Sequence, residues 1–311
     1  MINIIGKRYF YFILSLVVIL PGLALLVFMS SQDSLPLAID FTGGSLLEVR
    51  FAAAQPPPAE IIALYEELGV SDAKVQTTGE GSYVIRSSEL AEEVRASIVE
   101  SLQNKFNSEV TVLRFESVGP TIGQEVTARA GLAIAVAVLI VTIYLTVAFR
   151  GVPHSLRYGI CAILAMIHDV AVVFSLAAIG SLLWGWQIDS LFLTALLTVI
   201  GFSVQDKVVV FDRIRENTGI YRRLSFETLV NHSIVQTLQR SINTQLMTVE
   251  FMLLALALFG GVTLREFAII LLVGLFSGTY SSIFIAAPIL VVWENREWRN
   301  WFGRGRREAT A

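Results

Sequence analysis

The chain has 311 residues, 54% of them hydrophobic and only 16% charged, with a net charge of −3. A soluble domain carries about 25% charged residues, so the deficit points to lipid as the solvent for much of the chain. The single cysteine, Cys161 inside an apolar run, excludes an internal disulfide and reads as small apolar packing.

A membrane span needs about 20 mostly apolar residues. The first candidate is 9–29, preceded by Lys7 and Arg8. Its apolar core exceeds the roughly 7–15 residues of a signal peptide and no clear cleavage site follows, which predicts an uncleaved anchor. Pro21 and Gly22 are placed to bend it. Residues 31–128 change character and carry acidic residues from Asp33 to Glu125. Alternation predicts a strand over 45–51, a helix over 59–68 after Pro56-Pro57-Pro58, and a hairpin of 73–78 and 83–87 around Gly79-Glu80-Gly81. A helix over 89–106, capped by Ser87 or Ser88, and a strand over 110–118 complete a β-α-β-β-α-β, ferredoxin-like order. That fold indicates no function by itself. No metal, nucleotide or catalytic constellation stands out in it.

Five further apolar runs follow, at 130–149, 158–183, 188–211, 244–259 and 267–293. A basic amphipathic segment separates the fourth and fifth spans, from Asp212 to about Arg240. The expected fold is thus an all-α six-span membrane bundle with an α+β external domain. Its divisions are 1–30, a cytoplasmic end and span one; 31–128, the external domain; 129–293, spans two to six; and 294–311, a basic cytoplasmic tail. Six spans place both termini on one side, together with Arg150, Arg157, Arg213, Arg215, Arg222, Arg223 and the arginines of the tail. Positive-inside makes that side cytoplasmic.

Ionisable residues inside spans are costly and are functional candidates. Asp169 lies mid-span three, Asp206 in the cytoplasmic half of span four, Glu250 in span five, and Arg240 just before span five. Burial disfavours a carboxylate's charged form and a nearby cation favours it. An acid that alternates between such surroundings takes up and releases a proton. Asp206 is the leading candidate and Arg240 a candidate cation, sharing a helix face with Asn243 and Thr244. The alternative is a static ion pair of Asp206 with Lys207 or Arg240. Asp169 reads equally as a hydrogen-bonded position between helices, and its neighbour His168 is expected to face elsewhere. Gly274, Ser277, Gly278 and Ser281 mark a small-residue packing face. There is no Walker-type loop, so ATP is not an evident fuel, and no His-Glu-x-x-His or Gly-x-Gly-Asp protease signature. An enzymatic activity is not expected.

These motifs combine into a family resemblance. Asp40-Phe41-Thr42-Gly43-Gly44 resembles the motif that follows the first span in the SecF family of the bacterial Sec translocase. Ser117 to Gly123, His168-Asp169-Val170, Val199 to Asp206, Val208 to Asn217 with Asp212 and Arg213, Arg240 to Thr244 and Gly278 to Phe284 fit as well. The resemblance runs from the first span to the sixth. It implies half of a twelve-span RND-type unit whose other half is SecD, beside the SecYEG channel and with a YajC-like accessory. That unit uses the proton gradient in late stages of protein export, in contact with unfolded polypeptide and with lipid. Protons would be the coupling ion, with no cofactor, metal or nucleic acid. Asp206 would be the proton-responsive carboxylate, Arg240 its modulating cation and Asp169 an auxiliary acid. The family usually reads Ser-Val-Asn-Asp-Thr where this chain has Ser203-Val204-Gln205-Asp206-Lys207. Lys207 is therefore expected to act on Asp206 or to snorkel to the interface. Two competing roles are a structural subunit whose partner carries the protons, and an independent exporter of small hydrophobic molecules.

Overall fold

A computed structural model describes residues 3–32, 34–53, 55–77, 81–150, 155–245, 251–260 and 262–298. In chain order the elements are α1 (Arg8–Ser31), α2 (Ile39–Thr42), β1 (Gly44–Phe51), α3 (Pro58–Glu67), β2 (Lys74–Thr77), β3 (Ser82–Ser87), α4 (Glu92–Phe106), β4 (Val110–Val118), α5 (Pro120–Ala148), α6 (Ser155–Trp184), α7 (Ser190–Ile220), α8 (Phe226–Gln245), α9 (Phe251–Phe259), α10 (Val262–Ser281) and α11 (Ala287–Glu294). They form two units. One comprises Pro36–Ala133 and Gln187–Ser190; the other comprises Met1–Leu35, Ile134–Trp186 and Leu191–Ala311.

The smaller unit is an antiparallel sheet in the order β2-β3-β1-β4, with α3 and α4 supplying its apolar cover. Leu47, Val49 and Phe51 of β1 alternate into a core with Tyr83, Ile85, Ile61, Tyr65, Ile98 and Leu102. This alternation is the period-two signature of a half-buried strand. Register shifts between Glu48 and Val49, where β1 meets β4 at a bulge. Helix α4 starts at Glu92 with Ala91 at its cap and no side-chain cap, not at residue 89 behind a serine. The serine region is used otherwise: Ser88 N donates to Asp72 and Leu90 N to Ser45 Oγ, so the backbone is satisfied before the helix begins.

Tyr65 is fully buried, yet its hydroxyl has no hydrogen-bond partner among the described residues. Burial pushes its phenol above the ordinary value. A buried hydroxyl without a partner costs roughly 1–3 kcal/mol. Tyr65→Phe removes that cost and keeps the ring, so it should stabilise this unit by about 1 kcal/mol, read as a higher unfolding midpoint of the full chain.

Among the described residues, five helical stretches are long and apolar enough to cross a membrane: Ile5–Ser31, Pro120–Ala148, Leu156–Trp184, Ser190–Ile220 and Leu264–Glu294. The expected fifth span, 244–259, falls across 246–250, which lie outside the described residues, and only α9 of it is described beyond them. Two boundaries move. Helix α5 begins at Pro120, ten residues before the expected span, because proline at a helix start loses no hydrogen bond. Helix α7 continues to Ile220, so the segment read as one basic amphipathic stretch is the end of α7, a turn, and α8. Between α10 and α11 the chain widens into a π-helical turn, Ser282–Ala286, just before Pro288. Proline lacks an N–H and crowds the preceding turn, and a local π-turn absorbs both.

Close helix packing relies on small residues. A Cβ on Gly22 of α1 would lie 2.0 Å from Ser175 Oγ of α6, and one on Gly274 of α10 would lie 2.3 Å from Val199 Cγ2 of α7. At one end of this unit Arg8 donates to Glu297 at 2.8 Å and to Glu227 at 3.1 Å, and Asn231 Oδ1 accepts from Ile4 N at 2.8 Å. Burial opposes the charge on Glu297. Hydrogen bonds from Tyr9, Asn295 and Arg8, with the Arg8 charge, outweigh it and hold its carboxyl below the ordinary 4.5. A depressed carboxyl stabilises the fold above its unfolded value, and that stabilisation is lost as pH falls through the folded one. Thermal unfolding in detergent should therefore drop more between pH 7 and pH 4 for the unaltered chain than for Glu297→Gln, with the pH values chosen as about three units apart across the carboxylate range.

Candidate functional site

Helices α6, α7 and α10 meet at two carboxylates. The first, Asp169, is completely buried. Its Oδ2 accepts from Lys207 Nζ at 2.7 Å, Ser203 Oγ at 2.6 Å and Ser281 Oγ at 2.7 Å. Its Oδ1 accepts from Ser277 Oγ at 2.7 Å and lies 3.1 Å from His168 Nδ1. Lys207 is also completely buried, and its ammonium uses its remaining donors on the carbonyl and hydroxyl of Ser203. Spacing explains the cluster. Ser203 and Lys207 stand four apart on α7, as do Ser277 and Ser281 on α10, so each pair shares a helix face. Gly278 lets the backbones approach: a Cβ there would lie 3.3 Å from Ser203 Cα.

The second carboxylate, Asp206, is 5% exposed. Being next to Lys207, it is turned about 100° around α7 and faces elsewhere. Its Oδ2 accepts from Thr279 Oγ1 at 3.0 Å and from Gln245 Nε2 of α8 at 3.3 Å. Both donors are neutral. Among the described residues no salt bridge reaches Asp206, and Arg240, exposed on α8, is not paired with it. Asn243 and Thr244 are exposed on α8, and Gln205 is exposed on α7, so none of the three joins the carboxylates.

Two expectations are corrected here. Lys207 does not snorkel: the turn of α7 directs its salt bridge to Asp169, and it acts on Asp206 only as a neighbouring charge. His168 and Asp169, although sequence neighbours, do approach each other, with His168 Nδ1 3.1 Å from Asp169 Oδ1. Glu250 and His154 lie outside the described residues. His232 is half-buried, its ring edge on Tyr221 and its Nε2 2.9 Å from Gln236.

The residues after the first span form a separate junction within the smaller unit. Asp40 Oδ2 accepts from Ser190 N at 2.9 Å, at the first turn of α7, where an anion suits the exposed amides. Phe41 O accepts from Thr127 Oγ1 at 3.0 Å. Gly43 and Gly44 have φ of 73° and 118°. A Cβ on Gly43 would lie 2.8 Å from Pro120 Cα, and one on Gly44 2.5 Å from Ser87 O, so both positions require glycine. Further on, Asp212 pairs with Arg215 and Arg213 with Glu216 on the exposed side of α7. Exposed pairs of this kind contribute little. Buried Asn217 does more, donating to Ser233 at 2.8 Å and Gln236 at 2.9 Å to join α7 to α8.

The family model described as protein export membrane protein SecD/SecF, C-terminal, matches residues 98–296. The chain belongs to the SecD/SecF family. It is 66% identical to the protein translocase subunit SecF of Anaerolinea thermophila, over the whole of both chains. It is 38% identical to the protein translocase subunit SecDF of Thermus thermophilus, over 83% of this chain and 34% of that one. The crystal structure of SecDF from the same organism, titled a translocon-associated membrane protein, superposes with a TM-score of 0.80 at 33% identity. That match covers 95% of this chain and 39% of the solved chain, so this SecD/SecF-family chain spans well under half of the SecDF length. Within the family frame, sequence reasoning missed Ser203, Thr279 and Gln245 as carboxylate partners and took Ser277 and Ser281 for packing alone. For the Asp169 partners the signal was spacing: Ser203 stands four residues before Lys207 and Ser277 four before Ser281, each pair on one helix face.

Proposed function

We propose that this chain is the SecF-type half of a Sec protein-export accessory in the bacterial cytoplasmic membrane, working with a SecD-like partner and driven by the proton gradient. The observation that carries this reading is Asp206, a nearly buried carboxylate whose partners are the neutral Thr279 and Gln245. Such a group can gain a proton without stranding a cation, unlike Asp169. Arg240 is then a cation that acts on Asp206 across a distance and makes no salt bridge with it in this conformation. The fusion of both halves in SecDF chains supports the SecD-like partner. On the same reading the sheet unit is the ferredoxin-like extracytoplasmic domain that meets unfolded polypeptide. Helix α9 belongs to a sixth span, and both termini are cytoplasmic, which the Arg8–Glu297 contact supports. The SecYEG channel, a YajC-like accessory and surrounding lipid complete the assembly. Protons are the coupling ion and no cofactor takes part.

The test is export of a preprotein into inverted vesicles that carry the chain with its SecD-like partner. The chain should accelerate the late, gradient-dependent release of product, and an ionophore should remove the acceleration. Equal release with and without the ionophore would sink the proposal. A second reading, a structural subunit whose partner carries the protons, is favoured by the fixed Asp169–Lys207 pair tying α6 to α7. It requires that Asp206 be replaceable without loss of the gradient response.

A further inference from the structure

We infer that Lys207 is a positioning residue that holds Asp169 as a permanent carboxylate, so that Asp169 is a fixed-charge joint between helices and not a second proton carrier. The inference rests on the proton-coupling reading only for the role of Asp206; the state of Asp169 is argued from its own contacts.

Those contacts leave no place for a proton. Three serine hydroxyls, one from α7 and two from α10, donate to the carboxylate oxygens, and the ammonium of Lys207 donates to Oδ2. A protonated carboxyl must itself donate, which would displace one of these hydroxyls. It would also strand a lysine that is 0% exposed and makes no other salt bridge among the described residues. Breaking one side of a buried pair leaves an uncompensated charge, the costly direction of such a change. The titratable and charged groups in contact with Asp169 are Lys207 from α7 and His168 from α6. Helix α10 brings the hydroxyls of Ser277 and Ser281, and Tyr280 stacks on the His168 ring at 6.0 Å. Asp206 points away to Thr279 and Gln245. Lys207 is the ammonium that pairs with Asp169. A threonine there would leave Asp169 with His168 and hydroxyls alone, free to exchange a proton.

The division of labour is therefore one exchangeable acid, Asp206, and one pinned acid, Asp169, whose counter-ion Lys207 directly follows Asp206 on α7. Infrared difference spectra of the purified full chain with its SecD-like partner, recorded between acid and alkaline pH, read protonated carboxyls directly and do not depend on reagent access. In the unaltered protein the spans should give a carboxylic-acid band that Asp206→Asn removes and that Asp169→Asn leaves unchanged. Lys207→Thr should add a second band, which is removed when Asp169→Asn is combined with it. Lys207→Arg, which keeps the cation, should add none. A band in the unaltered protein that Asp169→Asn removes overturns the inference, even if every Lys207 variant fails to assemble. So does a Lys207→Thr protein with no Asp169 band. An unaltered protein with no band that Asp206→Asn removes, and with Asp169 still silent, would count against the coupling reading while leaving this inference standing.

Discussion

Asp206→Asn should abolish the gradient-dependent part of export while leaving the protein assembled. Asparagine keeps the size of the side chain and an oxygen for Thr279 Oγ1, which lies 3.0 Å away. What it loses is the ability to bind and release a proton. A proton crossing roughly 100 mV gains about 2.3 kcal/mol, which biases a two-state equilibrium by about 50-fold. Removing the carrier removes all of that bias, so release should fall to the rate seen without a gradient and become indifferent to an ionophore. Co-purification with the SecD-like partner and the unfolding midpoint in detergent should stay near those of the unaltered protein. Retained gradient-dependent release in this variant would transfer the proton role to the partner and favour the structural-subunit reading.

The second large effect is on stability. Lys207→Met leaves the Asp169 carboxylate buried without its counter-ion. Breaking a buried pair in this way costs about 3–5 kcal/mol. Removing one of the hydroxyl donors, as in Ser277→Ala, costs far less, because side-chain hydrogen bonds between membrane helices average about 0.6 kcal/mol. The charge, not the number of hydrogen bonds, therefore decides the size of the loss. Asp169→Asn combined with Lys207→Met removes both charges and should recover most of it, since a buried pair replaced as a whole is often near neutral. Unfolding of the four proteins in mixed detergent forms a double-mutant cycle. A strong coupling between the two sites is expected; additive losses would mean that the pair holds nothing together.

Glu297→Gln and Tyr65→Phe are smaller tests, placed at opposite ends of the chain's chemistry. One probes a charge at the rim of the bundle and the other an unpartnered hydroxyl in the sheet core.

Much of the fold was legible because it obeys one-dimensional rules. Apolar runs of span length mark helices wherever lipid is the solvent, since a helix satisfies its backbone internally. Residues 110–118 alternate as a strand and are one. The Asp40–Gly44 motif also declared itself, because two adjacent glycines with positive φ leave a plain mark in sequence. Helix ends were less legible. Nothing local tells α5 to begin at Pro120 rather than at the first wholly apolar stretch, or α7 to run on into charged residues.

The candidate site was legible as a set of charges and not as a set of pairs. Burial of Asp169 and Asp206 follows from their apolar context, and so does the small-residue face of α10 that allows close approach, whereas the complete burial of Lys207 does not. Which charge faces which is a three-dimensional fact. Asp206 and Lys207 are neighbours in the chain, yet 100° of helical rotation, roughly, separates their directions. That rotation sends Lys207 across to Asp169, 38 residues earlier, and Asp206 to Thr279 and Gln245 on two other helices. The amino-acid order by itself determined that acids would be buried in these spans; only the packing of α6, α7, α8 and α10 decided that a lysine is buried with them and that one acid is paired with it and the other is not.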